Sequence, residues 1–324
     1  MCEVQKNDHF SPSADWHDAV RLFLQDCKSR NLTNATIRRY RNGLEKLHQH
    51  LALQKMQWSD LAPALLTHYV IPSMLEEGLS LRTVNCNLCI YKEFFKFLCG
   101  EGLAASDIGV WLKPFKLQPA TAHTFTDEHL QHLFALPNRS TFTGLRNYVM
   151  MLTLLDTGIR LKELAKLQTS DVLTEEASLR IVQGKGRKSR LVPIQRLAIN
   201  ALKRYMQERG ALGHQYLWIT LENEPFQTGG IRMMISRYCA AANIQGIQCS
   251  CHTFRHTFAK KYIMNGGDIF TLKSILGHER IETTEMYVEL FARDLNMQHE
   301  KYSPIEHLAE ELPFFHVNES EVHV

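Results

Sequence analysis

The sequence predicts a mainly α fold of the α+β class. An all-α N-terminal domain is followed by a mainly helical domain that carries one small antiparallel β-hairpin sheet. Three observations lead there. Apolar residues recur at intervals of three and four along most of the 324 residues, the spacing of one helical face. Strand-like character is confined to one place, where two short β-branched runs flank a basic, glycine-containing segment. The length suits about two domains of ~150 residues each.

The elements follow in order. Asp15 to Leu24 opens with acidic residues, which favour a helix N-terminus. Asn34 to Tyr40 runs on into Leu44, Leu47 and Leu51 at helical spacing. Ser80 to Val84 leads into Leu88, Tyr91, Phe94, Phe95 and Leu98, and Gly100 and Gly102 punctuate the end. Four or five helices are expected here, in a domain spanning 13–103. Pro114, Pro119 and the polar run Gln118 to Thr124 break the periodicity, so 104–124 reads as a linker.

The second domain, 125–297, opens on Thr126, a capping residue followed by Asp127 and Glu128. Thr141 to Thr157 is a strongly apolar helix closed by Gly158, and Arg160 to Leu167 is a short helix. Ser178–Val182 and Arg190–Ile194 are the hairpin strands, with Gly184-Lys185-Gly186-Arg187-Lys188 at the tip. Further helices are expected near 195–209, 228–242, 253–265, 268–276 and 281–290. The tail, 298–324, holds the capping pattern Ser303-Pro304-Ile305-Glu306 and a stripe of Ile305, Leu308 and Leu312.

Composition narrows the function classes. Hydrophobic residues are 44% and charged residues 22%, which argues against disordered, collagenous or coiled-coil chains. No apolar run approaches the ~20 residues of a membrane helix. Glu3, Lys6 and Asp8 interrupt the first ten residues, so no secretory leader is expected, and the eight cysteines are expected to stay reduced in a cytoplasmic protein. A formal charge of +3 does not announce a nucleic-acid binder. Its distribution is more telling: residues 298–324 hold six acidic residues and one basic, which masks a net +6 in 124–297.

Chemistry-bearing residues gather between 158 and 287. Arg160 follows a helix end, and Glu163 one turn on can brace its guanidinium. Lys185 sits on the hairpin tip. His252 and Arg255 are three apart and share a helical face. His278 follows Leu276-Gly277, and Tyr287 lies nine residues further on. Such a set suits attack on a phosphodiester. Charge builds on the non-bridging oxygens in the transition state, so cations must be in place beforehand. Two arginines serve best because the planar fork grips phosphate oxygens and stays charged. Arg160 and Arg255 fit that need. Lys185 can protonate the leaving oxygen, His252 can accept or relay a proton near the phenol, and His278 can bond a phosphoryl oxygen. Tyr287 is the expected nucleophile, giving a covalent phosphotyrosine. Lys188 competes with Lys185 as the acid. His256 reads as structural.

Five motifs carry a resemblance: Thr-Gly-x-Arg-x-x-Glu-Leu at 157–164, Gly-Lys-Gly-x-Lys-x-Arg at 184–190, His-x-x-Arg-His at 252–256, Leu-Gly-His at 276–278, and Thr-Thr-x-x-Tyr at 283–287. In this order they resemble the catalytic domain of the tyrosine recombinases, the phage-integrase and Xer-like site-specific DNA recombinases. The likeness is close over 125–290 and looser over the N-terminal helices, which resemble the family's core-binding domain. It implies a 3′-phosphotyrosine intermediate, strand exchange through a Holliday junction, and a tetramer on double-stranded DNA. It also implies that the tail helix docks on a neighbouring protomer. No cofactor and no metal are expected, since Arg, Lys and His can supply the positive charge. The short segment before the first helix leaves no expected arm-binding domain, which favours a Xer-like or transposon-encoded recombinase for integration, excision or resolution. The runner-up is a nicking and closing activity like that of type IB topoisomerases.

Two patterns invite a metal reading and are set aside. Cys86 and Cys89 fall within a helical apolar pattern, where thiols pack. A zinc at Cys249, Cys251, His252 and His256 would consume the His252 that phosphate chemistry needs. Arg38, Arg39, Arg41, Lys92, Lys96, Lys113, Lys116, Arg187, Lys188 and Arg190 are candidate phosphate contacts.

Overall fold

The structure is a computed structural model and describes residues 15–53, 61–117, 123–182, 189–281, 284, 285, 287 and 299. Among these the chain is mainly helical with one three-stranded antiparallel sheet, as expected from the sequence. It divides into two compact units, 1–120 and 121–324.

The first unit is all helical. Helix α1, Trp16–Ser29, is capped by the Asp15 carboxylate, which accepts from the His17 N–H at 3.1 Å. Helix α2 is Asn34–Leu53. A third helical stretch begins on Pro63 as α3 (Pro63–Leu65), passes through one π-type turn (Leu66–Val70), and continues as α4 (Ile71–Glu76). Helix α5, Leu81–Gly100, is capped by Ser80. Trp16, Phe23, Leu44, Leu47, Leu88 and Phe94 are among the side chains buried in a shared core. Full burial of each such side chain contributes about 1.5–3 kcal/mol. A 3₁₀ turn, Ile108–Trp111, adds Ile108 to that core, and Leu112 follows it in. Asn85 then fixes Phe115 by two backbone bonds of 2.8 Å each.

The second unit is built on α7, Phe142–Thr157, an apolar helix capped by Thr141 and closed by Gly158 in the left-handed conformation (φ 58°). It packs between α9 (Arg196–Arg209) and α11 (Cys251–Met264). Short helices α6 (Asp127–Ala135) and α8 (Leu161–Lys166), with α10 (Thr228–Ala241) and α12 (Ile269–Leu276), complete the helical shell. Strands β1 (Val172–Leu173), β2 (Ser178–Ile181) and β3 (Arg190–Pro193) form the sheet in that order. The hairpin is therefore extended by one strand that its two-residue length hides from pattern reading. Leu179 pairs with Val192 and Ile181 with Arg190. Leu179, Ile181 and Val192 are buried, so this face of the sheet points inward.

Helix α11 starts on Cys251, capped by Ser250, and therefore includes His252 in its first turn. Lys185 and the hairpin tip lie outside the described residues, as do the expected tail helix and most of 281–290.

Candidate active site

The site forms where three chain segments converge: the end of α7 with the start of α8, the first turns of α11, and the end of α12 with the residues beyond it. Glycine makes the convergence possible. Gly158 and Gly277 both end helices in the left-handed region (φ 58° and 64°), where other residues are strained. A side chain on Gly158 would meet Phe258 and Leu276 at 2.6 and 2.8 Å. The two chain reversals aim backbone carbonyls at the arginines instead of at solvent.

Arg255 is buried, 4% exposed, and its guanidinium is held on several sides. Nη1 donates to Gly158 O at 2.7 Å, and Nη2 donates to Leu276 O at 2.9 Å and to His278 Nε2 at 2.7 Å. Burial, then the neighbouring Arg160, lowers its pKa to about 10, so it stays charged at neutral pH. Arg160 stands at the N-cap of α8. Its Nη2 donates to Gly277 O at 2.9 Å and its Nη1 to Glu163 Oε1 at 3.0 Å, while its backbone N–H donates to Glu163 Oε2 at 2.9 Å. Glu163 braces the guanidinium, as their spacing predicts.

Glu163 does more than that. It also accepts from Arg190 Nη1 and Nη2 at 3.0 and 2.8 Å, a fork-to-fork pair, and Arg190 Nε donates to Ile275 O at 2.9 Å. Burial pushes the Glu163 carboxyl up, but the bonds from Arg190 and from the Arg160 N–H together hold it below the usual range. Arg190 is thus a correction to the sequence reading. It was expected among the phosphate contacts, yet it is a half-buried strut between β3, α8 and α12.

His278 accepts from Arg255 at Nε2, so its proton resides on Nδ1, which lies 2.8 Å from Thr284 Oγ1. Burial, then the charges of Arg255, Arg160 and Arg190, lower its pKa to about 4, and the ring is neutral at pH 7. Both nitrogens are spent inside the site, so the ring orients Arg255. Tyr287 is 2% exposed and lies between two imidazoles. Its ring stacks against His278 at 6.4 Å between centroids, and its hydroxyl is 2.9 Å from His256 Nδ1. Burial raises the phenol pKa, and Arg255 partly opposes this. His252 lies one turn before His256, with rings 6.5 Å apart, and lines a cleft of about 460 Å³ with Arg160, Lys162 and Arg232. Burial, then Arg255 and Arg160, lowers the His252 pKa.

The structure therefore brings together Arg160, His252, Arg255, His278 and Tyr287, which the sequence had singled out; Lys185 is outside the described residues. Pattern reading gave no role to Thr284, took Arg190 for a candidate phosphate contact, and took His256 for a structural group. Thr284 carries a faint signal, lying within the Thr-Thr-x-x-Tyr motif. Arg190 carries a plainer one: it is two residues before the buried Val192, so strand alternation turns it inward.

Known proteins resemble the chain over most of its length. A profile of the phage integrase family matches residues 123–293, and one for the phage integrase N-terminal SAM-like domain matches 20–102. The chain belongs to the phage integrase family, the tyrosine recombinases. Family membership makes it a tyrosine-type site-specific recombinase, and a topoisomerase-like enzyme is not favoured. The chain is 29% identical over 288 residues to tyrosine recombinase XerD of Ralstonia nicotianae, covering 87% of this chain and 91% of that one. It is 28% identical over 278 residues to XerD of Proteus mirabilis, covering 84% and 88%. Among solved structures, XerA recombinase shares 25% identity at a TM-score of 0.51, covering 90% and 99% of the two chains. A lambda integrase dimer bound to a COC′ core site shares the fold at a TM-score of 0.71 and 16% identity, covering 87% and 79%.

Proposed function

We propose that this recombinase cleaves and rejoins double-stranded DNA through a 3′-phosphotyrosine on Tyr287. The observation that carries the reading is the cluster in which Arg255 bonds His278 and His278 stacks on the buried Tyr287 ring, with Arg160 anchored on the adjoining Gly277 carbonyl. Two fixed guanidiniums beside a phenol are what in-line attack on a phosphodiester requires.

In this mechanism Arg160 and Arg255 grip the non-bridging oxygens, held in advance by Glu163, Gly158 O, Leu276 O and Gly277 O, so little reorganisation accompanies charge build-up. His278 keeps Arg255 at the phosphoryl oxygens. His252 faces the cleft beside Arg160 and contacts the substrate there. Tyr287 attacks phosphorus, and Lys185 protonates the departing 5′ oxygen. The phosphotyrosine conserves the bond, so a second 5′ hydroxyl can reverse the step without ATP.

The wider assignment goes with it. Residues 13–103 are the core-binding domain, 104–124 the linker, 125–297 the catalytic domain, and 298–324 the tail whose helix docks on a neighbouring protomer. Four chains act on paired sites through a Holliday junction, in the cytoplasm, integrating, excising or resolving a mobile or replicated element such as a transposon. The relatives named tyrosine recombinase XerD support a site-specific recombinase. Two-site plasmids carrying genomic fragments recovered with the protein test the reading. The expected result is recombinant product that persists in chelator; relaxation of any plasmid without recombinants would contradict it.

A further inference from the structure

His256 lies next to the atom that reacts. Its Nδ1 is 2.9 Å from the Tyr287 hydroxyl, and its ring packs 5.6 Å from the phenol ring. His252, the histidine first expected to handle the phenol's proton, lies one turn earlier on α11, with its ring centroid 6.5 Å from that of His256. The Arg255 guanidinium also acts on the phenol, opposing the rise in its pKa that burial causes. With the His256 proton on Nε2, Nδ1 accepts the phenol hydrogen. In that tautomer Nδ1 presents a lone pair to the nucleophile.

We propose that His256 is a further catalytic residue of this recombinase, the general base that takes the proton of Tyr287 as it attacks phosphorus. The inference rests on the proposed phosphotyrosine reaction. In cleavage the Tyr287 Oη–P bond forms as the P–O5′ bond breaks. The phenol proton passes to His256 Nδ1, and the 5′ oxygen takes a proton from Lys185. In rejoining, an incoming 5′ hydroxyl attacks phosphorus and its proton returns to the Lys185 amine. The Tyr287 oxygen leaves and recovers its proton from the His256 imidazolium. Protons and bonds balance over the cycle, and no co-reactant is needed.

The surroundings suit the role. Burial, then His252 and Arg255 on the same helix and His123 ahead of α6, holds the His256 pKa below its ordinary value. With no phosphate bound the ring is neutral, as a base must be. A phosphodiester seated between Arg160 and Arg255 brings negative charge next to the ring, which favours the imidazolium when the proton arrives. The base thus strengthens when the substrate is in place.

The test uses the full chain and a pool of nicked duplexes of randomised sequence, made with an ordinary phosphodiester or with a 5′-bridging phosphorothiolate beside the nick. A thiolate leaves without a proton, so it relieves the need for an acid and leaves the need for a base. Two variants are compared: His256→Ala, and His256→Asn, which keeps an acceptor near the phenol but cannot take its proton. Loss of a general base slows single-turnover adduct formation by about 10²-fold or more. The expected result is that both variants are slowed to this degree on both substrates, with melting near wild type for His256→Asn. Lys185→Ala, by contrast, recovers on the phosphorothiolate. The wild-type acid limb of the pH–rate profile disappears in His256→Asn. The proposal is overturned if His256→Asn reacts within about threefold of wild type, since an acceptor alone would then suffice. It is also overturned if the phosphorothiolate restores either variant. If wild type forms no adduct on either substrate, the phosphotyrosine reaction itself fails, and this proposal with it.

Discussion

Arg160 satisfies a carboxylate and a carbonyl with one planar side chain, and its backbone N–H reaches the same carboxylate. Lysine has one nitrogen and no fork, so Arg160→Lys keeps the charge but cannot bond Glu163, Gly277 O and a phosphate together. The expected outcome is near-normal DNA retention with strand cleavage reduced by about 10²-fold or more, read in a single-turnover assay. Glu163 is the counter-charge to two arginines, its side chain 12% exposed. Removing one partner of a buried pair costs about 3–5 kcal/mol, because the opposite charge is stranded. Glu163→Gln is therefore expected to lower the urea midpoint clearly, and more than Glu163→Asp does; equal midpoints for Glu163→Gln and wild type would refute this. At the residue scale, sequence reading picked out side chains that the fold does bring together. Arg160, Arg255 and Tyr287 stand in motifs whose chemistry is specific. It did not foresee the contacts of His256 and Thr284, because which histidine meets the phenol depends on how α11 packs on residues some thirty positions away.

The end of α12 illustrates the element scale. Gly277 terminates the helix, supplies the carbonyl for Arg160, and faces Arg190. A Cβ at this position would lie 2.8 Å from the Arg190 guanidinium. Gly277→Ala therefore combines a left-handed backbone penalty of about 1 kcal/mol with a displaced strut. The expected result is lower stability together with slower cleavage, measured by urea unfolding and adduct formation. The same substitution at Gly100, where nothing lies within 4 Å, is expected to do neither. At this scale the sequence announced the long helices through periodicity and the hairpin through its glycine-basic tip. Strand β1 was invisible because two residues carry no period. The 3₁₀ turn at Ile108–Trp111 was hidden for a similar reason: it has one buried isoleucine and no second turn to repeat it.

Over the whole molecule, the charges at the site couple stability to pH. His252, His256 and His278 all have pKa values lowered in the folded state, His278 to about 4, against an ordinary 6.5. Below pH 6.5 the unfolded chain binds protons that the folded site refuses. Their contribution is therefore intact above pH 6.5 and is lost as pH falls toward 4. Melting temperature is expected to decline over that window, and His278→Asn to decline less steeply. An unchanged slope in that variant would remove His278 from the account. The two-unit organisation has its own basis in the buried clusters: among the described residues one lies before residue 120, two lie after it, and none spans it. The near-neutral net charge concealed the partner, because an acidic tail offsets a basic catalytic segment. The account as a whole turns on one bond, between Tyr287 and a DNA phosphate. Genomic fragments that remain attached after denaturation can be digested to a nucleotide–peptide and sequenced by mass spectrometry. The account predicts a 3′-phosphate on Tyr287, lost in Tyr287→Phe. Adducts on another residue, a 5′ linkage, or undiminished adduct in Tyr287→Phe would contradict it.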